Sequence, residues 1–147
     1  MKDLWPQWIA VFHTLLAGAL AAIPGIDREF RNRSAGLRTY MIVGMSTAML
    51  TSMALLALPK DAASRLIANL VTGIGFLGAG VIFRRSHGPT DLTTAASVWM
   101  VALIGIVVAY SYYILAVMAT LFLLVVLSVI RRLEAHFFGE KKQLLVG

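Results

Sequence analysis

The chain contains no cysteine. That excludes disulfides, thiolate metal sites and cysteine nucleophiles. Charge is scarce too: 14% of the 147 residues are Asp, Glu, Lys or Arg, where a soluble domain carries about 25%. Acids are scarcest, seven against thirteen bases for a net charge of +6. Catalytic signatures are also missing: there is no Ser–His–acid arrangement, HExxH, P-loop or deaminase pattern. Neither enzyme activity nor a bound cofactor is expected. The bases are scattered between apolar runs, which fits topogenic charge in a membrane protein and not a nucleic-acid footprint.

Long apolar runs dominate what is present. Hydrophobic residues make up 59% of the chain and the mean hydropathy is +0.82. This is an integral membrane protein, with length for one bundle and no second sizeable domain. The expected fold class is all-α, a polytopic helical bundle with spans near 7–26, 39–58, 66–83, 95–112 and 113–130. The first run resembles a signal peptide around Ala19-Leu20-Ala21. However, Lys2 and Asp3 cancel, and the run from Trp8 to Ile26 is long enough to span, so it reads as a retained helix. Pro59 closes the second span, Gly88-Pro89 turns the chain before the fourth, and Tyr110 to Tyr113 mark a tight interfacial hairpin.

Basic residues set the expected orientation. With the N-terminus outside, the inner segments carry Arg28, Arg31, Arg33, Arg38, Arg84, Arg85, Arg131, Arg132, Lys141 and Lys142. The outer ones carry Lys2, Lys60 and Arg65. That bias predicts N-out, C-in. No internal repeat is visible, and an odd number of spans argues against two inverted halves in one chain. A homodimer could still supply symmetry.

The segment Leu66–Phe83 is charge-free and holds Gly73, Gly75, Gly78 and Gly80. Glycine costs about 1 kcal/mol against alanine in a helix, so propensity does not explain it. In lipid, small residues let backbones approach, and glycine tolerates a break where the chain lines a cavity. The segment is therefore expected inside the bundle, as close packing or as a backbone-lined wall. Helical rotation sets Asn69, Thr72, Gly73, Phe76 and Gly80 on one face, and Gly75, Gly78 and Ala79 on the other. No strand precedes the run, so it is not a dinucleotide fingerprint.

Two loops hold the candidate chemistry. The first, Gly25 to Tyr40, places Asp27 four before Arg31 and Glu29 four before Arg33, the spacing of helical ion pairs. Asp27, Arg28 and Arg38 flank spans, where charges turn inward and mark sites. Arg31 and Arg33 are expected at the lipid headgroups. In the second loop, Thr90 or Asp91 can cap the fourth helix. Thr93, Thr94 and Ser97 add hydroxyls at a helix start whose dipole favours an anion. His13 is expected to be a packing residue satisfied by hydrogen bonds, and His87 and His136 have no ligand partners at useful spacing. The tail from Arg131 to Gly147 mixes bases with Phe137 and Phe138, as an interfacial segment on the inner leaflet would.

Three motifs then coincide: Gly25-x-Asp27-Arg28 with Gly36-Leu37-Arg38-Thr39, Gly73-Ile74-Gly75-Phe76-Leu77-Gly78-Ala79-Gly80, and Leu92-Thr93-Thr94-Ala95-Ala96 with Trp99. In this order and spacing they resemble the MgtC/SapB family of bacterial inner-membrane proteins, over residues 14–130. The resemblance implies a five-span, N-out domain in the bacterial inner membrane. It also implies a link to survival at low magnesium and to virulence, and action on other membrane machinery, ATP synthase included. By position, Asp27 stands where the family more often has glutamate, and Asn69 where it often has glutamine. Virulence-type members continue into a soluble cytoplasmic domain. Here a transmembrane domain over 1–132 and a short basic cytoplasmic tail over 133–147 are expected instead.

The candidate functional residues are thus Asp27, Arg28, Arg38, Thr39, Asn69, Asp91, Thr93 and Thr94, with the four glycines as packing or wall. The expected function is ion homeostasis linked to magnesium, through an inward-facing site between helices. The alternative is a regulator, docking on another membrane complex through small-residue faces. The partners expected are the bilayer, a second copy and possible membrane machinery. A bare divalent cation fits poorly, because magnesium prefers carboxylates and water, and only Asp27 and Asp91 lie beside the motifs, among arginines.

Overall fold

The computed structural model describes residues 4–84 and 90–130. They form five α-helices: α1 (Leu4–Phe30), α2 (Leu37–Ala57), α3 (Lys60–Arg84), α4 (Thr90–Ala109) and α5 (Tyr113–Val125). A π-helical turn, Val126–Ile130, continues α5. Four helices are long and apolar enough to cross a membrane, and the fifth apolar helix, Tyr113–Val129, is shorter. The expected basic tail and the Gly88-Pro89 turn lie outside the described residues.

Local sequence explains where the helices stop. After α1, the Arg33 N–H donates to Arg28 O at 3.1 Å and the Asn32 N–H to Glu29 O at 3.0 Å. Asn32 takes the left-handed conformation, φ 51°. This pairing of bonds is a Schellman cap, and asparagine is among the residues that tolerate it. The same cap closes α4. Ser111 (φ 63°) donates its N–H to Val108 O at 2.8 Å, and Tyr112 donates to Val107 O at 3.2 Å. The tight hairpin expected at Tyr110 to Tyr113 is this cap. Between α2 and α3, Leu58 and Pro59 break the helix, since proline cannot supply the next N–H.

In the bundle, α1, α2 and α4 pack together at the centre, α5 lies against α4 and α1, and α3 packs on α4 and more lightly on α2. The buried side of α2 carries Tyr40, Gly44, Thr47 and Thr51, at successive helical turns. Its large apolar residues, Ile42, Met49, Met53 and Leu56, point outward. That is the pattern expected in lipid, where bulk apolar side chains have no reason to turn inward and small or hydroxyl residues let helices meet. Closest approach falls where α2 crosses α4. A Cβ on Gly105 would stand 2.5 Å from Gly44 O and closer still to Thr47 Oγ1. A Cβ on Gly44 would meet Ala21 Cβ at 2.9 Å and Ala17 O at 3.0 Å.

The glycine run behaves differently from its expectation. α3 is one uninterrupted helix, and it is the least covered of the long ones: 6% of its most apolar window is buried, against 56% for α4. Nothing stands within 4 Å of a Cβ built on Gly73, Gly75 or Gly80, whereas Gly78 meets Ala95 Cβ at 3.6 Å. Among the described residues, only Gly78 of the four approaches another helix. The physical reason is that glycine permits close approach without specifying a partner. The glycines that packing demands lie in α1, α2 and α4.

Candidate functional site

The turns and helix ends bring the basic segment 27–40 together with the start of α4. Arg28, on the last turn of α1, is 2% exposed. Its Nη2 donates to Thr94 Oγ1, 2.6 Å away on the second turn of α4. Tyr40, fully buried on the first turn of α2, shares a 2.5 Å hydrogen bond with Ser97 Oγ. Ser97 also bonds Thr94 O at 2.8 Å. One cation and three hydroxyls thus tie α1, α2 and α4 at one end of the bundle. A buried charge is costly unless hydrogen-bonded, so this node constrains how the three helices meet.

Around the node the remaining charges are arranged by the end of α1. Arg31 Nε donates to both carboxylate oxygens of Asp27, at 2.8 and 2.9 Å. The i, i+4 pair read from the sequence is present. Ser128 Oγ adds a contact to Asp27 Oδ1 at 3.3 Å, linking the π-helical turn after α5 to α1. Glu29 does not follow its expected register, because the helix ends at Phe30 before Arg33 is reached. Instead, Glu29 Oε2 accepts the Leu37 N–H at 3.0 Å and so caps α2. Gly36 leaves room for this contact, since a Cβ there would displace the Glu29 carboxylate.

Of the residues singled out from the sequence, Arg28 and Thr94 meet directly and Asp27 lies beside them. Arg38 and Thr93 are exposed, and Thr39 is half-buried. Asn69 is exposed on α3, away from the node. The side chain of Asp91 lies outside the described residues. Tyr40 and the binding role of Ser97 add to the list. The available signal for Tyr40 was its register with Gly44, Thr47 and Thr51, a small and polar stripe on an otherwise apolar helix.

A second polar node lies near the opposite end, about 22 Å away by helical rise over fifteen residues. His13 is 4% exposed. Its Nδ1 pairs with Ser52 Oγ at 3.2 Å, and its Nε2 with Tyr113 Oη at 2.9 Å and Ser111 Oγ at 3.4 Å. These bonds join α1, α2 and the α4–α5 turn, the packing role expected of this histidine. A cavity of about 100 Å³ beside it is lined chiefly by Pro6, Ile9, Leu55, Leu56 and Ala109.

Two comparisons with known proteins bear on this arrangement. The model of the MgtC family matches residues 14–136. The chain belongs to the MgtC family. The protein MgtC of Brucella abortus is 37% identical over 130 residues, covering 86% of this chain and 55% of the relative. Escherichia coli K12 YhiD, provisionally named a magnesium transporter, is 34% identical over 142 residues, 91% of this chain and 66% of YhiD. SrpB of Synechococcus elongatus is 34% identical over 143 residues, 87% of this chain and 79% of SrpB. The chain spans about half the length of the Brucella relatives it matches. No solved structure matches it.

Proposed function

We propose that this MgtC-family chain serves magnesium-linked ion homeostasis in the bacterial inner membrane, handling an ion at the Arg28 node. It would sit N-out and C-in, with the node at the cytoplasmic face. The observation that carries this reading is a cation, 2% exposed, held by hydroxyls between three apolar helices. Ionisable groups inside a membrane bundle are expensive and mark ion pathways or sites. The name of YhiD favours the same field of function. Magnesium itself fits poorly as the bound ion. Among the described residues no group of three His, Asp or Glu side chains gathers, and the node is cationic, where magnesium needs carboxylates.

The test is purified protein in liposomes, with flux of magnesium, potassium, protons and chloride followed separately. Flux of one ion that Arg28→Gln abolishes and Arg38→Ala spares is the expected result. Absence of all four fluxes from folded protein removes the transport reading.

The exposed glycine face of α3 favours a second reading, a regulator without transport. Gly73 and Gly80 on one face, and Gly75 on the other, present bare backbone on this sparsely covered helix, surfaces on which another helix can seat closely. A second copy or another membrane complex would then dock there. Co-purification of a membrane partner, lost on Gly75→Leu, supports this reading, while unchanged partner binding counts against it.

A further inference from the structure

One side of α3 is packed and the other is bare. On the packed side Ala63 is buried, Ile74 rests against the core and Gly78 meets Ala95 of α4. Roughly 140° around the helix lie Leu66, Asn69, Gly73, Phe76, Gly80 and Phe83. Leu66 is half-buried and the other five are exposed, Phe76 and Phe83 at 84% each. The six are spaced 3, 4, 3, 4 and 3 residues apart, the 3.5-residue repeat of a coiled-coil seam. The seam is about 25 Å long by helical rise, most of the roughly 30 Å hydrocarbon thickness of a bilayer. Asn69 is its one polar side chain, nine residues into α3. Among the described residues no hydrogen bond reaches that amide. An amide surrounded by hydrocarbon costs free energy until it finds a partner, and its own chain supplies none there.

We propose that this seam binds a second copy of the chain as a parallel helix pair, with the two Asn69 amides hydrogen-bonded across a twofold axis along the membrane normal. Three features select a second copy over a different protein. Copies inserted in one orientation hold identical residues at identical depth, so a heptad seam meets itself layer by layer. A carboxamide carries two donors and an acceptor, so two of them satisfy each other, as an isologous interface requires. One amide in an otherwise apolar seam is also a device that fixes register. Finally, Phe76 stands between Gly73 and Gly80, so each copy offers a bulky knob and, beside it, the hollow to receive one. Four phenylalanines, two from each copy, cover roughly 600 Å² or more, about half of what the smaller specific interfaces bury, before the glycine backbones are counted. The inference rests on reading α3 as a docking helix and names the occupant of one of its glycine faces. Gly75, on the other face, is left to a different membrane complex.

The experiment uses the full chain, labelled at its C-terminus with donor or acceptor dye and reconstituted in phosphatidylcholine vesicles over a series of protein-to-lipid ratios. Energy transfer that rises saturably with protein density and fits two copies is expected. Asn69→Leu should weaken the dimer about 3- to 30-fold, the span of interhelical hydrogen-bond strengths in lipid. Asn69→Gln keeps the amide and should stay closer to the unsubstituted chain. Gly73→Leu should weaken the dimer further, and Gly75→Leu should leave it unchanged. Circular dichroism in detergent checks that each variant is folded; should Gly73→Leu fail to fold, the Asn69 pair carries the test. Absence of density-dependent transfer overturns the proposal, as does transfer indifferent to both Asn69→Leu and Gly73→Leu. Transfer lost in Gly75→Leu and kept in Gly73→Leu overturns it too, by seating the second copy on the other face. A different membrane protein that co-purifies through Gly73, with no transfer between copies, gives the seam another occupant and has the same effect. Dimerisation and capture of a partner through Gly75 are read separately, so the failure of one does not decide the other.

Discussion

Arg28 and Tyr40 do at the basic end what apolar contacts do in a soluble core: they fix which helices meet and in what register. Their hydrogen bonds are formed where water is absent, so removing one partner strands the other. Arg28→Ala should lower stability by about 1.5–3 kcal/mol, the range for bonds to charged groups, measured by thermal melting in detergent. Tyr40→Phe should cost less, about 1 kcal/mol, because Ser97 keeps its bond to Thr94 O. Equal losses from the two substitutions would mean that the charge contributes nothing beyond a neutral hydrogen bond. The importance of Arg28 was legible from its place at the edge of a span. Its partner Tyr40 was legible only through its register with Gly44, Thr47 and Thr51, because an interfacial tyrosine and a buried one otherwise look alike in sequence. Arg38 shows the converse: it too opens a span, yet its position on α2 turns it outward.

Helices meet in lipid through their smallest residues, and α2 and α4 do so at Gly44 and Gly105. A larger residue at position 105 must push the two backbones apart. Gly105→Val should therefore destabilise by about 1–3 kcal/mol or more, the usual cost of overpacking, seen as a lowered melting temperature or loss of monodisperse protein. Gly75→Leu on α3 should leave the melting temperature of the monomer unchanged or slightly raised, since the site is open and leucine is the better helix former. A severe loss from Gly75→Leu would show that α3 is covered in the working protein. The sequence draws the eye to the four glycines of α3 and away from single ones in α2 and α4. Counting glycines measures how many close approaches are possible. It does not say which of them are used.

At the scale of the molecule, the lack of native cysteine makes α3 directly testable. Single cysteines at Gly73 and at Phe76, an 84% exposed residue, should give crosslinked dimers in native membranes if a second copy seats on this face. Ile114, 83% exposed on α5, provides a comparison site that should not crosslink. Crosslinking equal at all three positions would indicate collision and not an interface.

The sequence by itself determined that this is an all-helical membrane protein of the MgtC family. Apolar run length against bilayer thickness, scarce charge and ordered motifs are local properties, and they survive translation into letters. The same local information located most helix ends, because caps and prolines act within a few residues. Only the tertiary structure decided which helix is central, which glycines touch, and which arginine is buried. In lipid every helix is apolar all round, so periodicity carries little information about facing. Small and hydroxyl residues choose the interior through pairwise contacts between segments far apart in the chain.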